Sequence, residues 1–276
     1  MTSHAAQGDE LSANDDHELS AHPDGRTTVR GQQGIAECTH RGTASVQNAA
    51  VTDKTEDTEM TRAFLACTAE VARLLPVDVN VDGPDTLTAK RRARDLAHAV
   101  RRPLLESPRL ADELFTPLMA AAVHDPDPSF CRWFVEPALY SFGRRRVLEA
   151  LVEYLRSGSD PERAGATRAW YWAHMPLRAE RSAAYAPDGT RPASLDASEE
   201  AVEAWFEVSM KVYTETTDVG VRYRVLRMLP VSRQAYPPRL HNLFDTTLSA
   251  ARADPDEYNR RWARAVDGEG FGPDSR

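Results

Sequence analysis

The side chains able to do chemistry are spread thinly along this chain. After residue 60 the histidines are His98, His124, His174 and His241, and none stands four residues from another with a Glu between, as a helical zinc site requires. Cys38, Cys67 and Cys131 are odd in number and far apart, so neither a disulfide framework nor a Cys-x-x-Cys site can be built from them, and reduced thiols are expected. A Gly-x-Ser-x-Gly elbow and a Gly-rich phosphate loop are both absent from the sequence, and Cys131 has no neighbouring histidine to act as its base. The acidic groups Glu199, Glu200 and Glu203, and Asp254, Asp256 and Glu257, fall at expected helix starts, where carboxylates accept from free amides and complement the helix dipole. They read as capping groups rather than paired catalytic acids. No catalytic residue, metal ligand or cofactor site is therefore assigned.

Two constellations suit binding rather than catalysis. Lys90, Arg91, Arg94, Arg101 and Arg102 form a line of cations along one helix face that could track phosphates. Aromatic residues do not interleave with them, which favours a solvated outer face. The run Arg144, Arg145, Arg146 has a simpler account in ion pairs with Glu149 and Glu153 along its own helix. Aromatic rings cluster at Trp133, Phe134, Tyr140 and Phe142, and again at Trp170, Tyr171 and Trp172. Successive helical residues point about 100° apart, so the three rings of the second cluster cannot all be buried against one neighbour. At least one is expected to be partly exposed, or covered by the following segment. Trp170, Trp172 and Trp133, with Arg168 close by, are either core between helices or a patch that anchors a partner, since interface hot spots favour Trp, Tyr and Arg.

These groups sit in a chain of 276 residues, 41% hydrophobic and 28% charged, which is enough to bury a sizeable core. No stretch approaches the roughly 18 apolar residues of a membrane span. The N-terminus lacks the basic-then-apolar pattern of a secretory signal, and its acids argue against a transit peptide, so a cytoplasmic location is expected. The basic residues are 31 Arg and 3 Lys, a bias typical of GC-rich, actinobacterial genomes. Net charge is −8, but residues 1–59 hold 11 acids against 4 bases, leaving the remainder near neutral. Residues 1–55 lack aromatic residues and any apolar period, so a disordered tail is expected. Met60 opens the first helical pattern, which raises the possibility of translation starting there. A flexible C-terminal tail is expected over residues 267–276.

The elements that would position the binding groups are all helical. Over 86–102 the residues Ala89, Ala93, Leu96, Ala97 and Val100 share one face opposite the basic stripe, and Pro103 and Pro108 are expected to close the helix. Beyond it one arrangement recurs four times: an apolar-periodic helix, a sharp turn carrying Asp and usually Pro, then a second helix. The turns are at Asp127, Asp160, Asp218 and Asp254, at intervals of 33, 58 and 36 residues, the middle one lengthened by an insertion over 176–198. The expected pairs are 112–124 with 127–142, 144–157 with 160–173, 199–216 with 218–229 and 239–252 with 255–266. In the third pair Val202, Trp205, Phe206, Val208, Met210, Val212 and Tyr213 cover more than half the wheel. A helix so widely apolar is packed on more than one side, as in a repeat stacked between neighbours.

Asp218, Val219, Gly220, Val221 and Arg222, backed by Val225, Leu226 and Leu229, resemble the inter-helix turn and second helix of a HEAT repeat, and Asp256 with Arg260 repeats the Asp-to-Arg spacing. The resemblance covers residues 110–266. It implies an all-α fold, an α-solenoid of about four HEAT-like helix pairs spanning 56–266, and a non-catalytic scaffold that holds a protein partner, with the insertion and Trp170 and Trp172 as the recognition edge. The alternative it implies is a DNA-binding or DNA-repair protein of the HEAT-like alkylpurine glycosylase type, using the basic stripe. A helical enzyme of another kind is a third reading, because active-site groups meet in space rather than in sequence.

Overall fold

Apolar residues spaced three and four apart become the buried stripes of ten α-helices, and no strand occurs among the described residues. The computed structural model of the chain describes residues 59–78, 88–107, 110–177 and 193–268, all within the unit Ala44–Arg276. The expectations for residues 1–55, for most of the insertion and for 269–276 lie outside the described residues. The helices are α1 (59–73), α2 (Ala89–Glu106), α3 (Phe115–His124), α4 (Arg132–Phe142), α5 (Arg144–Ser157), α6 (Asp160–Ala173), α7 (Glu199–Glu215), α8 (Val219–Arg227), α9 (His241–Arg252) and α10 (Glu257–Val266).

The four expected pairs are present, and within each pair the two helices touch: α3 with α4, α5 with α6, α7 with α8, α9 with α10. Between successive pairs, first helices meet first helices (α3–α5, α5–α7, α7–α9) and second helices meet second helices (α4–α6, α6–α8, α8–α10), while α2 meets α4. One contiguous core runs from Phe64 to Ala263. Within it α7 touches α5, α8 and α9, and its Trp205 and Tyr213 are fully buried. Burying each such large side chain contributes about 1.5–3 kcal/mol. Gly165 lets α6 approach α3 closely: a Cβ there would run into the Val123 carbonyl, with the carbonyl carbon 2.8 Å away.

Pro103 does not end α2, contrary to expectation; the helix continues to Glu106, its last turn held by buried Leu104 and closed by the Ser107 amide donating to the Pro103 carbonyl. A proline's φ suits a helix, so it costs one backbone bond and some crowding, which local packing can offset.

The turn chemistry also differs from the sequence reading. Asp254 does not cap α10. That role falls to Asp256, which accepts from the Tyr258 amide at 2.8 Å, while Asp254 is 3% exposed. The first pair repeats the device: Asp125 is buried at 0%, whereas Asp127 accepts from the Ser129 amide and α4 begins only at Arg132. In the second pair Ser159 and Glu162 form a capping box, making Asp160 the first helical residue rather than the cap. Asp218 caps α8 as expected, accepting from the Val221 amide at 2.7 Å.

The residue two before each of Asp127, Asp218 and Asp256 accepts the latter's amide: Asp125 at 2.9 Å, Thr216 at 3.1 Å and Asp254 at 2.8 Å. Each also links to a neighbouring helix, α2 for Asp125 and a member of the preceding pair for Thr216 and Asp254. Arg94 donates twice to the Asp125 carboxylate, at 2.9 and 3.3 Å. Arg222 pairs with Asp254 at 2.6 Å, and the Thr216 hydroxyl donates to Asp160 at 3.4 Å. The two carboxylates titrate in opposite directions. Burial pushes Asp125 above its ordinary value despite Arg94 and the Asp127 amide. Burial also acts on Asp254, but donors from Tyr213, the Asp256 amide, Arg222 and Asn259 outweigh it and hold this carboxyl below its ordinary value.

Candidate functional site

On α6 the residues Ala166, Ala169, Trp170 and Ala173 point into the core, which leaves Arg168 and Trp172 half-buried at its edge and Tyr171 exposed. On α8 the core takes Val221, Val225 and Leu226, so Tyr223, Arg224 and Arg227 face outward. Because α6 and α8 touch, these outward groups border one surface. Two clefts open there, sharing Tyr171, Trp172 and Met228 in their walls. The first, of about 580 Å³, is lined by Arg168, Tyr223, Arg224 and Arg227 with Pro128 and Ser129 of the α3–α4 turn. The second, of about 560 Å³, is lined by Trp170, His174, Met175, Pro176, Val202 and Phe206. Both fall within the size range of ligand pockets.

Of the three consecutive rings, Trp170 is 5% exposed and stacks on Trp205 with centroids 3.9 Å apart and planes 9° apart. Trp172 is half-buried and its indole N–H donates to the Pro128 carbonyl at 2.9 Å. Tyr171 is 63% exposed and meets Trp172 edge-on. Of the two expected outcomes, a partly exposed ring or one covered by the following segment, the first occurs, at Tyr171. A large aromatic at this exposure, flanked by clefts, is the composition seen at interface anchors.

Among the described residues the cations of the first cleft form no ion pair with a carboxylate, although the charges of Asp125 and Asp127 act favourably on Arg168. Arg168 donates through Nη2 to the Asp125 carbonyl at 3.0 Å and the Val123 carbonyl at 3.5 Å, while its Nε is buried without a partner. Burial, and next the charge of Arg224, lower the Arg168 pKa. Arg227 donates to the Tyr223 hydroxyl at 3.2 Å. Among the described residues Arg168, Arg224 and Arg227 make no ion pair with a carboxylate, and none of the residues lining the cleft is acidic.

The other residues singled out from sequence lie apart from this cleft or are engaged otherwise. Trp133 points toward α2, its ring 4.6 Å from those of His98 and Phe130, with Arg101 4.7 Å above it. Within the basic stripe Arg91 pairs with Asp95 at 3.1 Å, Arg102 with Glu106 at 2.7 Å and Arg94 with buried Asp125, while Lys90 is exposed. Arg132 lies over Trp172 and pairs with Glu136 at 3.1 Å. Arg145 pairs with Glu149 as expected, but Arg146 reaches across to Asp112. The structure thus brings Arg168 and Trp172 together and places Trp170 in the core. It makes Tyr171 the exposed ring of the cluster and adds Tyr223, Arg224 and Arg227, whose signal in the sequence is the polar face of α8. Among the described residues no cluster of His, Cys, Asp or Glu could hold a metal ion, and no helix is long and apolar enough to cross a membrane.

Fold and site together define an all-helical protein with an open aromatic and cationic surface on its second helices. Compared with protein-family models, curated proteins and solved structures, the chain gives no match.

Proposed function

We propose that this protein is a non-catalytic scaffold, an α-solenoid of about four HEAT-like helix pairs that holds a protein partner on the α6–α8 surface. The observation that carries this reading is Tyr171, 63% exposed between two clefts and backed by Trp172 and Arg168. Rigid aromatic anchors of this kind supply contact area at low entropic cost. The stacking of first helices on first and second on second is the contact pattern a repeat array produces, and such arrays present long surfaces to partners. The free thiols of Cys67 and Cys131 are in keeping with a reducing, cytoplasmic compartment.

A pull-down from native extract with the full chain, and with a Tyr171→Ala, Trp172→Ala variant shown by circular dichroism to be folded, tests the proposal. A specific protein retained through nuclease treatment and lost with the variant is the expected result. Recovery of nucleic acid alone, or of proteins that vanish with nuclease, would replace the scaffold reading with the DNA-binding one.

A further inference from the structure

Arg168, Arg224 and Arg227 crowd one cleft with no carboxylate among its described lining residues; Arg168 feels the charges of Asp125 and Asp127, but the positive charge of Arg224 acts against it, and exposed Arg224 and Arg227 have no carboxylate partner among the described residues. Elsewhere in this chain exposed arginines are commonly paired: Arg102 with Glu106, Arg145 with Glu149, Arg233 with Asp245, Arg239 with Glu203 and Glu207, Arg252 with Asp267. The cleft departs from that habit. Its neighbour across Tyr171 is apolar in character, with Met175, Val202, Phe206 and Met228 in its walls. A ligand that satisfies both clefts at once carries negative charge on one side and an apolar or aromatic group on the other.

We infer, resting on the scaffold reading above, that the α6–α8 surface docks an acidic peptide segment of the partner. Its Asp or Glu side chains pair with Arg224 and Arg227, and an adjacent apolar side chain enters the second cleft past Tyr171. Guanidinium groups suit carboxylates because they offer forked donors to both oxygens. Arg224 and Arg227 are three residues apart on one helix face, the separation at which side chains are neighbours, so one carboxylate or two adjacent ones can engage both. A nucleic-acid strand fits less well. A phosphate backbone needs a continuous basic track, and the stripe that would extend one is neutralised where Arg91, Arg94 and Arg102 meet Asp95, Asp125 and Glu106.

The probe is a labelled synthetic peptide alternating Glu with Leu and Trp, followed by fluorescence polarisation against the full chain. The controls are the same peptide with Gln for Glu and a labelled oligothymidylate. The acidic peptide is expected to bind, the Gln peptide to bind at least about tenfold more weakly, and binding to weaken with added salt. Arg224→Gln with Arg227→Gln is expected to weaken acidic-peptide binding about tenfold. Both side chains are exposed, so the melting temperature should stay unchanged. A charge-reversed Arg224→Glu, Arg227→Glu variant should reverse the preference toward a Lys-bearing peptide. Equal binding of the Glu and Gln peptides, or binding unmoved by both variants, overturns the inference. Tighter binding of oligothymidylate, lost in the Gln variant, overturns it in favour of nucleic acid. If the acidic peptide fails while Tyr171→Ala still abolishes partner capture, the scaffold reading survives and only the acidic specificity falls.

Discussion

Replacing Asp254 by Asn tests how successive helix pairs are joined. The Asp254 carboxylate is 3% exposed and receives four donors. The Tyr213 hydroxyl at 2.6 Å, Asn259 Nδ2 at 3.0 Å and Arg222 at 2.6 Å share Oδ2, and the Asp256 amide at 2.8 Å takes Oδ1. Asparagine has one acceptor oxygen. If that oxygen keeps the Asp256 amide, its NH₂ faces three donors; if it is flipped, the turn loses its bond. Either way the Arg222 guanidinium, whose Nε is already buried without a partner, loses its counter-charge. Removing one partner of a buried ion pair costs about 3–5 kcal/mol, which for a body of this size lowers the melting temperature by about 10 °C. The assay is urea and thermal unfolding of the full chain, followed by circular dichroism. Because the Asp254 pKa is depressed in the folded state, its contribution is fully present above the unfolded value near 3.9 and is lost as pH falls through the folded value. The gap between native protein and variant should therefore close in acid. A loss under about 1 kcal/mol at pH 7, the range of exposed ion pairs, would refute the reasoning.

Gly165→Ala should cost about 3 kcal/mol in urea unfolding, because backbone rather than a movable side chain blocks the new methyl. Gly220→Ala, where the nearest atom is Asp218 Oδ1 at 3.2 Å, should change stability by less than about 1 kcal/mol. Trp205→Ala should cost about 3–5 kcal/mol and abolish the near-UV signal of the Trp170–Trp205 stack; a change within 1 kcal/mol would contradict the packing described. Burial pushes the Cys131 thiol up to about 12 and the Cys67 thiol up to about 11. Both should resist alkylation at pH 8 in the native protein and react fully in urea, as peptide mass mapping would report.

The helix pairs were legible because their apolar residues recur with helical period and each turn announces itself with Asp, usually beside Pro. The wide apolar arc of α7 correctly signalled a helix packed on several sides. The roles within the turns were not legible. Asp254 and Asp256 differ by two residues, and only the path of the chain decides which faces inward; the same holds for Asp125 and Asp127. The buried links from Arg94 to Asp125 and from Arg222 to Asp254 join residues more than 30 positions apart, beyond any local pattern. The basic stripe looked uniform for this reason, although one of its members is committed to a buried carboxylate. At the candidate site, helical spacing required an exposed ring among Trp170, Tyr171 and Trp172 but did not say which. Tyr223, Arg224 and Arg227 gained their meaning only when α8 was set beside α6.

The most direct test of partner binding on the α6–α8 surface is site-specific photocrosslinking in native extract, with a benzophenone side chain introduced at Tyr171 or, as a control, at exposed Lys90. Partner binding on this surface should give a discrete protein adduct from Tyr171, none from Lys90, and loss of the adduct when Arg224→Gln and Arg227→Gln are added. An adduct formed from Lys90 and absent from Tyr171 would contradict it.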